Sequence, residues 1–259
     1  MSRSILYRAS ITSGTALAAG FPVPGVRVST AHIVPLPSCH PQCGRAPCRA
    51  IVVPHRRKSI PKQQAARSDH FDADYYRKYY HSPATSVVTP AMQRHEVAFV
   101  IAFCRHIELE VKRFTDAGAG TGWWAKEFTR RYPSCLHIET FDASRAACRL
   151  YGHRQSELQK LSGREADLVV CRDVLRYLND ADAAKGIRRL ARKCRGVLYL
   201  HAITSDDDID EEGSDMAGFF RPVSWYRKRL RDAGFRDCGM GLFVSHKLKS
   251  FFPFAIESR

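Results

Sequence analysis

The segment Phe114-Thr-Asp-Ala-Gly-Ala-Gly-Thr-Gly122 carries the clearest chemical instruction in the chain. It closes an apolar run and opens a helical pattern, with glycines at 118, 120 and 122. Glycine lets the backbone turn tightly and approach a ligand closely, and the helix that follows presents unpaired N–H groups. Two acids frame the loop: Asp116 inside it and Asp142, which follows Gly122 by 20 residues. A dinucleotide-binding G-x-G-x-x-G loop is excluded, because Trp123 stands where a small residue must let helix and strand pack. A P-loop is excluded too, since no Gly-Lys-Ser/Thr follows. Each acid also has a plain structural reading as a helix cap, Asp116 for the helix after the loop and Asp142 for one beginning near Ser144.

Other candidates are weaker. His201, near the carboxyl end of an apolar run, is the best-placed general base, with a satisfied core histidine as the alternative. Ser205-Asp-Asp-Asp-Ile-Asp-Glu-Glu-Gly-Ser-Asp215 suggests calcium, but an EF-hand loop from Asp206 needs Gly at 211 and Glu at 217, where the chain has Glu211 and Ala217. It reads as a solvated loop, placed where carboxylates would favour a neutral or cationic substrate if they cover a pocket. Cys39-His40-x-x-Cys43-x4-Cys48 lacks the paired C-x2-C spacing of a zinc site, so no metal is expected. No nucleophilic triad is visible. Trp123 and Trp124 read as helix-packing residues, and Tyr75, Tyr76, Tyr79 and Tyr80 as half core and half pocket lid.

The elements that must position these residues alternate from residue 71 onward. An aromatic-rich helix is expected over 71–80, and a second one capped by Thr89 with Pro90 at its first position. Strands follow at 111–116, 136–141, 166–171 and 196–203, separated by helices at 123–132, 144–151, 181–193 and 223–233. Runs at 238–245 and 251–256 are close enough to pair antiparallel. The alternation implies an α/β fold: a doubly wound, seven-stranded, mainly parallel sheet with an antiparallel terminal hairpin.

Asp-x-Gly-x-Gly-x-Gly after a first strand resembles motif I of the class I S-adenosylmethionine-dependent methyltransferases. The similarity extends through Asp142, through Asp167-Leu-Val-Val-Cys-Arg-Asp-Val-Leu-Arg-Tyr-Leu178 and through Phe220–Phe235, covering roughly residues 71–256. The resemblance implies a Rossmann-like methyltransferase fold, with S-adenosylmethionine as methyl donor. It implies that Gly118 and Gly120 line the methionine portion, that Asp116 orients the loop and favours the ligand's ammonium group, and that Asp142 holds the ribose diol with Ala143 beside the adenine. Cys171 and Arg172 would border the methionine moiety through backbone. Two departures stand out. The family's acidic residue after the third strand has no clear counterpart, Glu157-Leu158 being nearest, and Ala119 replaces a common Cys.

Composition sets the frame around that reading. With 259 residues, 44% hydrophobic and 26% charged, the chain can bury a core, and no apolar run reaches the ~18 residues of a membrane-spanning helix. The net charge of +15 is concentrated in residues 1–68, which hold ten Lys or Arg, no acid and eight of the 13 prolines. That stretch is expected to lack regular structure, leaving residues 69–259 as the methyltransferase domain. A start site assigned too early, a transit peptide and a polyanion-binding tail are its competing readings. The odd count of nine cysteines, several in apolar patterns, suits a reducing, cytoplasmic setting. The expected reaction is methyl transfer to a small-molecule acceptor. A nucleic-acid methyltransferase anchored by the tail and a noncatalytic S-adenosylmethionine-binding protein are the alternatives.

Overall fold

Alternating apolar runs and amphipathic helices build one sheet with helices on both faces. The structure, a computed structural model, describes residues 70–81, 89–209 and 214–249. The basic segment 1–68, its Cys39–Cys48 motif and the run 251–256 lie outside the described residues. The helices and strands are α1 (Ala73–Tyr76), α2 (Pro90–His106), β1 (Arg113–Ala117), α3 (Trp123–Arg131), β2 (His137–Asp142), α4 (Arg145–Tyr151), β3 (Arg154–Gln155), β4 (Ala166–Arg172), α5 (Asp180–Lys193), β5 (Cys194–His201), α6 (Val223–Asp232), β6 (Phe235–Asp237) and β7 (Leu242–Ser245). A π-helical turn, Arg77–His81, extends α1.

The seven strands form a single sheet in the order β3-β2-β1-β4-β5-β7-β6. The ladders from β3 through β5 are parallel, and β7 runs antiparallel to both β5 and β6. The order reverses at β1 and β4, so their carboxyl ends open the crevice in which such sheets take ligands. Period-two alternation along the central strands feeds two separate cores. Leu168, Val170, Val197 and Tyr199 pack with α2 and α3, while Val169, Cys171, Leu198 and Leu200 pack with α5 and α6. Phe114, Trp124 and Phe128 stack in the first layer, with Phe114 and Phe128 centroids 4.4 Å apart.

Helix starts follow their capping chemistry. Thr89, Ser144 and Asn179 each accept a backbone N–H from the first turn of α2, α4 and α5, a contact worth about 1 kcal/mol. The helix after the glycine loop differs. Its N-cap is Gly122 at φ +70°, with no side-chain cap, so Asp116 does not serve as that cap.

The terminal hairpin differs from the expected one. The expected strand 238–245 is interrupted, because Gly239, Met240 and Gly241 all have positive φ and make the turn between β6 and β7. Left-handed residues cannot continue an extended strand. A Cβ on Gly241 would lie 2.6 Å from the Leu200 carbonyl oxygen, so this turn is pressed against the end of β5. The partner of Leu242–Ser245 is Phe235–Asp237, immediately after α6. The seventh strand is Arg154–Gln155, a two-residue ladder with Phe141 and Asp142 that is too short to leave a periodic signal.

Candidate functional site

The loop after β1 is held by backbone and by two side chains. The N–H groups of Gly118 and Ala119 both donate to the Phe141 carbonyl. Gly120 N–H donates to Asp142 Oδ2 at 2.8 Å, and Ser144 N–H donates to Asp142 Oδ1 at 2.8 Å. One carboxylate thus ties the glycine loop to the start of α4. Each of its oxygens keeps a further lone pair for a ligand's donors. His153 buttresses the loop from behind, with Nε2 3.0 Å from the Gly120 carbonyl and Nδ1 2.9 Å from Thr140 Oγ1. Gly118 sits at φ +89°, and a Cβ there would meet Val174 Cγ2 at 2.1 Å. Glycine is therefore required on both conformational and steric grounds.

Asp116 is 2% exposed, and its Oδ2 finds no partner among the described residues. Burial, reinforced by the neighbouring Asp142 carboxylate and opposed by Arg172, pushes its pKa up to about 7. Burial also raises Asp142, against the pull of the N–H groups of Ser144 and Gly120. A buried acceptor without a donor carries an unmet desolvation cost. Asp116 itself is not among the residues that line the cavity over the loop.

The cavity over this loop measures about 280 Å³. One wall is Gly118, Gly120, Asp142, Ala143 and Leu158; the other is aromatic, with Phe71, Tyr75, Tyr76, Tyr80 and Tyr177. Tyr75, Tyr76 and Tyr80 of that wall come from α1 and the π turn after it, and Tyr177 comes from the turn after β4. The Ser144 hydroxyl fastens the start of the first segment by donating to the Phe71 carbonyl at 2.5 Å. Tyr76 is buried, while Tyr75, Tyr76 and Tyr80 all border the cavity.

The other expected residues are placed as follows. Arg172 lines the cavity with its guanidinium held by Glu96 of α2, at 3.0 and 3.3 Å. Cys171 is fully buried in the α5–α6 core and is not part of the lining, because the β-strand alternation turns it into that layer. Ala119 is buried and contributes its N–H to Phe141 rather than to the lining. Glu157 and Leu158 both reach the rim. His201 lies elsewhere: it lines a separate hollow with Tyr199, Asp207, Asp208 and Met240, and its Nδ1 is buried without a partner. Burial, and then Arg172, lower its pKa. It stands at the carboxyl end of β5 as expected, its unpartnered Nδ1 does not fit a satisfied core histidine, and the hollow it lines is not the one over the glycine loop.

Asp206 and Asp207 of the acidic run are spent on structure. Asp206 Oδ2 accepts the Val223 N–H at the start of α6, and Asp207 Oδ2 accepts the Thr204 N–H and hydroxyl. Arg221 is 5% exposed, bonded to Asp180 and to the carbonyls of Leu175 and Leu178, so it does not face the entrance. Among the described residues no group of three His, Cys, Asp or Glu is placed to hold a metal ion.

Sequence reasoning passed over a second polar group at the aromatic wall. Arg176, 1% exposed, donates to Asp173 Oδ1, to the carbonyls of Asp215 and Ala217, and to the Tyr177 hydroxyl. Tyr177 Oη donates to Asp215 Oδ2 at 3.1 Å, which also lies 3.0 Å from His70 Nε2. Asp173 holds a left-handed backbone at φ +55° and borders the cavity. The one available signal was a charged Arg176 inside the apolar run Val174–Leu178.

Comparison with known proteins agrees with this geometry. Residues 92–237, more than half of the chain, match the family described as a methyltransferase domain. A malonyl-[acyl-carrier protein] O-methyltransferase of Gallionella capsiferriformans (strain ES-2) is 32% identical over 83 residues, 32% of this chain and 28% of that protein. The match therefore spans less than a third of that curated relative. Among solved structures, magnesium protoporphyrin IX methyltransferase of Synechocystis PCC 6803 with bound S-adenosylmethionine superposes with a TM-score of 0.51 at 19% identity, covering 69% of this chain and 94% of that one. The same enzyme with bound S-adenosylhomocysteine gives 0.53 at 18% identity, covering 69% and 97%. These likenesses are of fold. With the family match, the sheet order and a glycine loop framed by Asp116 and Asp142, the chain belongs to the class I S-adenosylmethionine-dependent methyltransferases.

Proposed function

We propose that the chain transfers a methyl group from S-adenosylmethionine to a small-molecule acceptor lodged against the aromatic wall of the cavity. The observation that carries this reading is the single hollow in which glycine-loop residues face Tyr75, Tyr76, Tyr80 and Tyr177. An aromatic wall with a few polar atoms suits a compact organic acceptor. The names of the similar proteins, malonyl-[acyl-carrier protein] O-methyltransferase and magnesium protoporphyrin IX methyltransferase, refer to acceptors other than nucleic acid.

In this reading Asp142 takes the ribose hydroxyls on its remaining lone pairs while keeping its grip on Gly120 and Ser144. Ala143 and Leu158 flank the adenine, and Gly118 and Gly120 allow close backbone approach to the methionine portion. Asp116 supplies negative charge for the ammonium group, relieving its own desolvation. Arg172, locked to Glu96, offers mainly its backbone. The bound donor supplies an electrophilic methyl on a sulfonium. The protein then has to align the acceptor with it, exclude water and remove a proton where the acceptor carries one.

Calorimetry tests the donor site: S-adenosylmethionine and S-adenosylhomocysteine should bind and NAD should not. Asp142→Ala should weaken that binding by about 1.5–3 kcal/mol, the worth of hydrogen bonds to a charged group. Incubating the enzyme with isotopically methyl-labelled donor and a metabolite pool tests the acceptor class. Label confined to nucleic acid would overturn it.

A further inference from the structure

The hydroxyl chain at the aromatic wall has a direction that its hydrogen-bond partners impose. Arg176 Nη2 lies 2.6 Å from Tyr177 Oη, and a guanidinium only donates. Asp215 Oδ2, 3.1 Å away on the other side, takes the single hydroxyl proton of Tyr177. Tyr75 Oη stands 3.1 Å from the same oxygen. With the Tyr177 proton committed to Asp215, that contact is made only if Tyr75 donates. Tyr75 lines the cavity, and once its proton points at Tyr177 its oxygen has lone pairs alone to offer a ligand.

Resting on the small-molecule reading above, we propose that Tyr75 Oη receives a proton-bearing nucleophile, an O–H or N–H acceptor, and that Tyr75, Tyr177 and Asp215 form the path by which its proton leaves. The balance is simple. As the acceptor's oxygen or nitrogen bonds to the methyl carbon, the carbon–sulfur bond breaks and its electron pair stays on sulfur. The acceptor's proton passes to Tyr75 Oη, the Tyr75 proton to Tyr177 Oη, and the Tyr177 proton to Asp215 Oδ2. No tyrosinate forms, which accords with burial holding both phenols well above their ordinary pKa. His70, 3.0 Å from the same carboxylate oxygen and 37% exposed, connects Asp215 to solvent. Tyr75 is thus assigned as a catalytic residue, and Tyr177 and Asp215 act through it.

Two measurements test this, one independent of the true acceptor. In protein carrying ¹³Cζ-tyrosine and loaded with S-adenosylhomocysteine, phenol should shift the Tyr75 resonance and anisole, which lacks the O–H, should not. Equal shifts with both probes, or none with either, would overturn the assignment of Tyr75 as an acceptor facing the cavity. With the labelled-methyl assay, Tyr75→Phe should cut transfer about 10²-fold, the low end for lost general-base help, with cofactor affinity within threefold of wild type. Asp215→Asn keeps an acceptor oxygen but not its basicity, so the phenol response should persist while kcat falls and KM holds. Unchanged kcat in Asp215→Asn would overturn the relay. Wild-type enzyme that labels no small molecule yet shows the phenol-specific shift would sink the small-molecule reading and leave the polarity of the chain standing.

Discussion

The two walls of the cavity are built on different principles. The wall proposed for the cofactor centres on one short loop, Gly118 to Gly122, gripped by the Phe141 carbonyl and the Asp142 carboxylate at the end of β2 and shaped by positive φ. The aromatic wall, Phe71, Tyr75, Tyr76, Tyr80 and Tyr177, draws on two distant segments, and its Tyr75–Tyr177 contact is held by a side-chain network around Arg176 that includes His70, Asp173 and Asp215. Backbone geometry tolerates little change of residue type at the loop and leaves distant positions free. A side-chain network tolerates variation of its backbone but fails when its central donor is lost.

That contrast can be broken in four ways. Arg176→Met should be the most damaging, costing about 3–5 kcal/mol of stability, because Asp173 and the carbonyls of Asp215 and Ala217 lose their buried donor. Denaturant unfolding would measure it, and a loss under 1 kcal/mol would show the network to be ornamental. Gly118→Ala should cost roughly 2–4 kcal/mol, from left-handed strain plus the clash with Val174. Gly152→Ala is the matched control. It has φ +78° with open space around the added Cβ, so it should cost only about 1 kcal/mol and leave cofactor affinity intact. Equal effects of the two would remove the special tightness assigned to the loop.

Asp116 gives a pH test of the cofactor wall. Its folded pKa of about 7 lies above the reference 3.8, so its contribution to stability is full below about 3.8 and lost as pH rises through about 7. Ligand-free protein should therefore be more stable at pH 5 than at pH 7, by about 2–3 kcal/mol from this group. Asp116→Asn should flatten that dependence. A bound ammonium group favours the carboxylate, so donor affinity should rise with pH up to about 7 and then level. Thermal scans and calorimetry across pH 5–8 check both, and a flat profile in the wild type would refute the placement. The smallest effect is expected at Asp206. Asp206→Ala should cost about 1 kcal/mol by uncapping Val223 without altering KM for the acceptor, since its carboxylate is committed to α6.

How much was legible in the sequence follows the same divide. The glycine loop and Asp142 stand out because tight turns and close approach demand particular residues at fixed neighbouring positions. The strands β4 and β5 could be read from apolar runs, since both faces of a central parallel strand are buried, whereas β2 is exposed at its start and is placed by its position between two helices. The hairpin could not be placed. Its turn at Gly239–Gly241 lies inside an apolar stretch, and three positive φ values are a property of how β7 meets β5. The acidic run 206–215 looked like a surface feature, whereas Asp206 and Asp207 accept backbone N–H groups and Asp215 is buried against the Tyr177 hydroxyl. His201 could be placed at the carboxyl end of β5, but not that it lines a hollow other than the one over the glycine loop.

The sequence by itself determined the alternation of strands and helices, the glycine loop and the acid that follows the second strand, because each shows as particular residue types at characteristic positions along the chain. Only the tertiary structure decided which way the Tyr75–Tyr177 hydroxyls point. That direction depends on a guanidinium one residue away in the chain and a carboxylate 38 residues further on meeting at one oxygen. Hydrogen-bond polarity is set by the full set of donors and acceptors around an atom, and linear spacing does not contain that set.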